Sequence, residues 1–254
     1  MSDVFTCEII NNEQLAEAIF AITVLCPEIA SQARAGQFVS IKCGENLLRR
    51  PVSICRKDGD TLKLVVEAKG AGTAWLSGQK RGHSLDLLGP LGNGFHMPDG
   101  DIIVVGGGIG LPPLLFAAES SKGSVTAILG FRDSGRIILE NEFESVCEKV
   151  YITTDDGSHG IHGMVTLPLK ALLDSGGRGA VIACGPRVML QAVAEVCELY
   201  DVPCQVSLEE RMACGVGACL VCACATVKQG VVGMSRVCKD GPVFDAGEVD
   251  WLNP

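Results

Sequence analysis

The chain has 254 residues, 47% of them hydrophobic but only 5% aromatic, and a formal net charge of −9. That length allows two domains, or a large one with an appendix, built on an aliphatic core. The acidic balance and the lack of any Lys/Arg run argue against a nucleic-acid partner, and no apolar run reaches membrane-spanning length.

The opening residues, Met1-Ser2-Asp3-Val4, lack the basic and apolar stretches of an export signal. Thirteen cysteines in an unexported chain then point to a reducing cytoplasm, with some thiols ligating a cofactor in place of disulfides.

The first third reads as β. Short β-branched or alternating runs lie at Val4–Ile10, Ala18–Leu25, Gln37–Cys43, Val52–Cys55, Thr61–Glu67 and Ser84–Leu88. Turn residues such as Lys57-Asp58-Gly59-Asp60 separate them, and six such strands suggest a small antiparallel barrel. A short helix is expected over Thr73–Gln79. Arg50-Pro51-Val52-Ser53 places a forked cation and a hydroxyl three residues apart on one extended segment, and Arg suits a pyrophosphate. Gly70-Ala71-Gly72-Thr73 is a bare-backbone turn opening the helix. Taken singly, the first is most often a surface arginine and the second merely a turn. Gly89-Pro90-Leu91-Gly92-Asn93-Gly94-Phe95 closes the barrel.

The middle reads as α/β. A buried strand at Asp101–Val105 runs into Gly106-Gly107-Gly108-Ile109-Gly110 and an apolar helix over Leu111–Ala118. Strand, glycine loop and helix are the layout of a dinucleotide site. Leu111 stands at the third glycine position, so the ordinary G-x-G-x-x-G fingerprint is not met. Pro112 suits the first helical turn. Strands follow at Val125–Phe131, Lys149–Thr154, Ala180–Cys184 and Pro203–Ser207, with helices near Leu139–Cys147, Val165–Leu173 and Arg187–Tyr200. Alternation of this kind makes a parallel sheet, whose ligands lie beyond the strand C-termini. The residues there are Gly107–Gly110, Thr154–Asp156 and Cys184-Gly185-Pro186. Alone, Cys184 reads as a buried strand-end thiol and Asp155 as a turn residue.

The last segment carries the strongest pattern. Cys214, Cys219 and Cys222 read C-x4-C-x2-C, and Cys238 follows after fifteen residues, the plant-type [2Fe-2S] spacing. Short spacers let one loop curl three thiolates around a small inorganic core. Gly215, Gly217 and Ala218 let the backbone pass close. Zinc is the rival, but structural zinc sites pair two short knuckles, whereas here the fourth cysteine stands alone. Cys224 falls on a strand leaving the loop near Ala223–Val227 and is read as a packed neighbour.

The order R-x-x-S, G-x-G-T, G-G-G-I-G, C-G-P and C-x4-C-x2-C…C resembles the ferredoxin–NADP reductase superfamily. Within it, Arg50–Ile54, Gly70–Thr73, Gly89–Phe95 and Glu210–Gly215 are similar to the electron-transfer subunit of class 1B, NAD-dependent dihydroorotate dehydrogenase. The resemblance spans nearly the whole chain. It implies an FAD-binding β-barrel over residues 1–98, an NAD-binding α/β domain over 99–207 and a [2Fe-2S] cluster-binding segment over 208–254. It implies that Arg50, Pro51, Val52 and Ser53, the strand Val65, Val66 and Glu67, and the turn Gly72 and Thr73 hold FAD. Gly107, Gly108, Gly110, Cys184, Gly185 and Pro186 would frame NAD, and Cys214, Cys219, Cys222 and Cys238 would ligate the cluster. Many superfamily members carry Tyr where this chain has Val52, a departure that loses ring stacking on the flavin.

A flavin converts between the two-electron chemistry of nicotinamide and the one-electron chemistry of a cluster. No base beside a carbon-acid site is evident. The resemblance therefore implies a relay from the FMN of a dihydroorotate-oxidising catalytic subunit, in a cytoplasmic heterotetramer serving pyrimidine biosynthesis. The alternatives are a reductase subunit of another complex, such as a sulfhydrogenase or an electron-bifurcating transhydrogenase, and a zinc-stabilised binding module. NAD against NADP preference is left open; Arg132 could meet a 2′-phosphate but reads more simply as an exposed loop residue.

Overall fold

The computed structural model describes residues 3–228 and 230–253; Met1 and Ser2 of the N-terminal reading lie outside them. The first six strands are β1 (Asp3–Ala16), β2 (Ile19–Leu25), β3 (Phe38–Lys42), β4 (Arg50–Asp58), β5 (Thr61–Glu67) and β6 (Ser84–Leu91). They close into an antiparallel barrel in the order β1-β2-β5-β4-β3-β6, the expected architecture. One helical turn, α1 (Pro27–Ala30), precedes β3, and α2 (Ala71–Ser77) precedes β6. Ile22, Val24, Ile41, Ile54, Leu62 and Leu87 point inward and are fully buried, the alternation expected of strands with one solvated face. The strand β1 outruns its predicted end because Asn11–Gln14 still pair with β2 beyond a bulge. Those residues are polar and partly solvated, so no hydrophobic signal marks them.

Next come β7 (Ile102–Gly107), α3 (Leu111–Ser120), β8 (Val125–Phe131), α4 (Glu140–Val146), β9 (Lys149–Thr154) and the two-residue β10 (Ile161–His162). They are followed by α5 (Thr166–Asp174), β11 (Ala180–Cys184), α6 (Arg187–Leu199) and β12 (Cys204–Ser207). The hairpin β13 (Ala223–Lys228)–β14 (Val231–Arg236) and the short β15 (Val243–Asp245) end the chain's regular structure. The second sheet runs β10-β9-β8-β7-β11-β12-β15. All its pairings are parallel except the last, where β15, from the cysteine-rich segment, lies antiparallel on β12. The chain winds outward from β7 on one side and returns on the other at β11, so the order in which strands are added, though not their direction, reverses between these two parallel strands.

The helix α3 is buried on every side from Leu111 to Ala118 because sheet and barrel sandwich it. Three ion pairs tie β4 and β5 to the α/β unit: Arg56 with Glu119, Lys63 with Glu142 at 3.1 Å, and Glu67 with Arg136 at 3.4 Å. On the sheet's other face α5 and α6 share a second core with Cys222, Cys224 and Cys238. Among the described residues no helix is long and apolar enough to cross a membrane.

Candidate redox centre

The strand β4 changes partner halfway along. Residues Arg50–Ser53 pair with β3, from Ile41 opposite Arg50 to Phe38 opposite Ser53. Pairing with β5 begins only at Ile54 opposite Leu64 and continues to Asp58 opposite Thr61. Val65, Val66 and Glu67 meanwhile pair with β2 on their far side. The two ladders thus part where the expected flavin residues lie, Arg50–Ser53 on one lip and Val65–Glu67 on the other. Backbone polar groups along a parted ladder need other partners. A flat, hydrogen-bonding ring system fits that requirement.

Arg50 leans over the first turn of α2. A Cβ on Gly72 would lie 2.5 Å from the Arg50 Nε, so a side chain there would displace the guanidinium from this position. Arg50 Nη1 donates to the Leu48 carbonyl at 2.7 Å, which fixes the fork. Its Nε and Nη2 make no hydrogen bond among the described residues and remain available to an anion. Ser53 is half-buried at the lip, while Val52 turns into the barrel core. The Thr73 hydroxyl is already engaged: it accepts from the N–H groups of Lys69 and Gly70 at 3.1 and 3.2 Å and so caps α2.

The glycine loop and the C-G-P turn meet at the ends of β7 and β11, the crevice where an open parallel sheet binds its ligands. A Cβ on Gly110 would run into the Cys184 carbonyl, and one on Gly107 would lie 3.1 Å from Pro186 Cδ. Gly185 lies against the Gly107 amide. Gly108 adopts a positive φ of 52° and faces open space. The floor of this crevice is therefore bare backbone, with room for a ligand to approach. Burial pushes the Cys184 thiol up to about 12, and Ser207 stands opposite it in the β11–β12 register. At neutral pH it stays protonated.

Two of the four predicted ligands, Cys222 and Cys238, stand side by side. Cys222 Sγ lies 3.2 Å from Cys238 Sγ, too far for a disulfide, and Cys214 and Cys219 stand on the loop that precedes them. Among the described residues no three such groups converge on one ion position. A loop that carries three cysteines, with the fourth remote in sequence, suits a dinuclear core better than the paired knuckles of structural zinc. Backbone N–H groups surround the sulfurs: Ala218 donates to Cys214 Sγ at 3.3 Å and Cys238 to Cys222 Sγ at 3.4 Å. Burial pushes the Cys214 thiol up, but N–H donors from Val216, Cys219 and Ala218 outweigh it and bring the group down to about 6. Burial, reinforced by Cys222, pushes Cys238 up to about 12. Cys224 is buried on β13 opposite Ser235 and makes no hydrogen bond to the four.

Sequence reasoning missed what seats the loop. Arg236 and Asp240 form a two-pronged ion pair, with Nε–Oδ2 2.8 Å and Nη2–Oδ1 2.9 Å, and Arg236 Nη1 donates to the Gly217 carbonyl at 3.2 Å. The i,i+4 spacing of opposite charges was the available signal. At Gly215 the loop passes Leu91 and Ser40 of the barrel. The outer side of the loop exposes Val216, Leu220 and Val221 beside the exposed Cys219, and β14 exposes Val231, Val232 and Met234.

Residues 209–250 match the model of the iron–sulfur cluster binding domain of dihydroorotate dehydrogenase B. The chain is 39% identical to the dihydroorotate dehydrogenase B (NAD(+)) electron transfer subunit of Desulforamulus reducens, covering 99% of this chain and 100% of that one. It is 40% identical to the same subunit of Streptococcus pneumoniae, covering 96% and 97%. Among solved structures, that of an NADH-dependent reduced ferredoxin–NADP oxidoreductase studied for flavin-based electron bifurcation superposes with a TM-score of 0.88 at 32% identity, over 96% of this chain and 90% of that one. A cluster domain, full-length identity of this order and a barrel-plus-sheet fold agree: the chain belongs to the family of dihydroorotate dehydrogenase B (NAD(+)) electron transfer subunits.

Proposed function

We propose that this chain is the electron-relay subunit of an NAD-linked dihydroorotate dehydrogenase, holding FAD, a [2Fe-2S] cluster and a site for NAD(H). The observation that carries it is the order of the three sites. The cluster loop rests on Ser40 of β3, whose register partner is Pro51 in the flavin lip. One strand spacing, about 4.8 Å, separates those two strands. The other lip ends at Glu67, which reaches Arg136 beyond the end of β8 in the nucleotide-binding sheet. These contacts support a reading in which cluster, flavin and nicotinamide sites follow one another from loop to barrel to sheet. Nicotinamide exchanges electron pairs as hydride, the cluster single electrons, and FAD both.

Each segment has its part in this reading. Arg50 neutralises the FAD pyrophosphate, the parted lips orient the ring, and the bare backbone at Gly107–Gly110 and Cys184–Pro186 admits the dinucleotide. Cys214, Cys219, Cys222 and Cys238 ligate the cluster while amide donors tune it. Residues 1–98, 99–207 and 208–254 serve as flavin, nucleotide and cluster units. The apolar surface around Cys219 docks an FMN-containing catalytic subunit, in a cytoplasmic heterotetramer, and dihydroorotate is oxidised there. Co-expression with such a subunit should give dihydroorotate-dependent NAD⁺ reduction. A chain that carries all three cofactors and still gives none with that subunit would exclude this assignment.

The likeness at 32% identity to a bifurcating oxidoreductase supports a second reading. In it, the same relay serves the ferredoxin-linked subunit of a transhydrogenase. Identification of the chain that co-purifies from the native host separates the two.

A further inference from the structure

Side chains alternate along β3. Val39 and Ile41 point into the barrel core, so Phe38 and Ser40 face outward, toward the cluster segment. Phe38 and Leu91 share one apolar core with Cys222, Cys224 and Cys238, and Leu88 packs against it. Ser40 stands on this face, opposite Leu88 on one side and Pro51 on the other. It is only 4% exposed. A Cβ on Gly215 would lie 3.7 Å from Ser40 Oγ, so the hydroxyl meets the loop one residue past Cys214. Arg49 fixes the strand here: its Nη1 donates to the Ser40 carbonyl at 3.1 Å, and its Nη2 pairs with Asp86 Oδ1 at 2.7 Å. Other buried polar side chains on this side of the molecule are engaged. Gln37 Nε2 donates to the Gly92 carbonyl at 2.8 Å, Gln37 Oε1 accepts from the Arg34 N–H at 2.9 Å, and the Thr226 and Ser235 hydroxyls bond each other at 2.8 Å. Ser40 differs: among the described residues its carbonyl has a side-chain partner and its hydroxyl has none.

We propose that the Ser40 hydroxyl donates a hydrogen bond to a sulfur of the cluster and thereby holds the cluster's potential up. The inference rests on the reading of Cys214, Cys219, Cys222 and Cys238 as the ligands of a [2Fe-2S] cluster. A hydroxyl shut away from water is costly unless something accepts its proton. The side chains of Phe38, Leu88 and Leu91 offer no acceptor. Sulfurs held at Cys214 do. Reduction adds negative charge to an iron–sulfur core, so a donor aimed at its sulfurs binds the reduced form more tightly than the oxidised one and favours reduction. The amide donors of Ala218 and Cys238 belong to the cluster segment's own backbone. Ser40 is a side-chain donor supplied from the barrel, so it can be removed while those amides stay in place. It is also the register partner of Pro51, which puts a residue that tunes the cluster on the strand beside the proposed flavin lip.

The test compares wild type, Ser40→Ala and Ser40→Thr, each loaded with FAD and cluster. The readouts are the cluster's midpoint potential, from electron paramagnetic resonance during a reductive titration, and the exchangeable-deuteron couplings of the reduced cluster after transfer to heavy water. Ser40→Ala should shift the cluster about tenfold toward the oxidised form, the scale of one hydrogen bond to a charged group. For one electron that is a potential about 59 mV lower. One deuteron coupling should disappear, while iron and sulfide content stay as in wild type. Ser40→Thr keeps the hydroxyl and should restore both the potential and the coupling. An unchanged potential with unchanged couplings in loaded Ser40→Ala would overturn the proposal. So would an equal lowering in Ser40→Ala and Ser40→Thr, which would assign the effect to packing. If Ser40→Ala takes up no cluster, Ser40→Thr decides: a loaded protein with the wild-type potential supports the hydroxyl's role, and an unloaded one overturns it. A wild type that takes up zinc and gives no signal on reduction fails at the cluster reading itself and takes the proposal with it.

Discussion

On the assignment proposed above, the cluster loop and the nucleotide crevice both bind redox groups, yet they are built from opposite materials. The loop binds through four side chains at fixed spacing, and its backbone serves to bring N–H groups to the sulfurs. The crevice binds through backbone, and its side chains matter mainly by being absent at Gly107, Gly108 and Gly110. A thiolate has few substitutes as an iron ligand. A glycine can be required for a turn, a close approach or nothing at all. The first kind of site is therefore specific from spacing alone. The second acquires meaning only once the fold puts the strand ends together.

The largest effect expected from breaking this comparison is at the thiols. Replacement of Cys214, Cys219, Cys222 or Cys238 by Ser should destroy or destabilise the cluster, since serine is a harder ligand for iron–sulfur iron. Iron and sulfide content and electron paramagnetic resonance of the reduced protein measure this. Cys224→Ser should keep the native spectrum, because Cys224 sits one step along β13 and is packed opposite Ser235. If Cys224→Ser loses the cluster while Cys222→Ser keeps an unaltered one, the third ligand has been misassigned.

Next in size is the crevice. Gly108→Val should cut NADH-dependent reduction of an artificial acceptor by about a hundredfold, the scale of a small misplacement of reacting groups. The site has open space around it, so the new side chain would fill room meant for the nucleotide. The positive φ of 52° adds strain of roughly 1–2 kcal/mol. Retained FAD and cluster absorbance distinguish a blocked site from an unfolded chain. Normal NADH kinetics in such a variant would move the site elsewhere.

The proposed flavin cleft stands between the two kinds of site, since one side chain and one parted ladder would make it. Arg50→Ala should weaken FAD binding by about tenfold to a hundredfold, the value of charged hydrogen bonds lost to the pyrophosphate. Titration of the apoprotein with FAD, followed by flavin fluorescence, reads this directly. An unchanged affinity would leave the arginine a surface residue.

How much was legible follows the same division. The strands β5, β8, β9 and β11 have their predicted bounds because branched apolar runs end at clear turn signals. The long tail of β1, the exposed β14 and the three-residue β15 were not foreseen, since half-solvated strands carry little hydrophobic pattern. The cluster-binding segment was legible from cysteine spacing, and the matched residues 209–250 contain all four proposed ligands. The parting of β4 from β5 was not, because register is a property of two strands and neither sequence announces where a partner is exchanged. Thr73 was expected at the flavin, and what spacing did not show is that its hydroxyl closes the turn that begins α2. Ser, Thr, Asn and Asp often serve their own backbone in this way, and spacing alone does not reveal it.

The smallest effect concerns the anchor beneath the cluster loop. Asp240 is held down to about 2, first by its side-chain bonds from Arg236, then by the Arg236 backbone N–H. Its ordinary value is 3.8, a difference that would be worth about 2 kcal/mol without screening. Both side chains are roughly one-third exposed, so about 1 kcal/mol is the realistic contribution. A depressed carboxylate stabilises the fold above its unfolded value and loses that contribution as pH falls through the folded one. Asp240→Asn should therefore lower the melting temperature of the loaded protein by a few degrees, about 2–4 °C for a chain of this size. The gap should be flat from pH 8 to pH 5 and begin to close only below about pH 4. Cluster release under a chelator should also quicken, because Arg236 would no longer be fixed against the Gly217 carbonyl. A gap that closes between pH 7 and pH 6 would assign the stabilisation to another group. An unchanged release rate would make the ion pair incidental, and the loop would then owe its shape to the thiols and their amide donors alone.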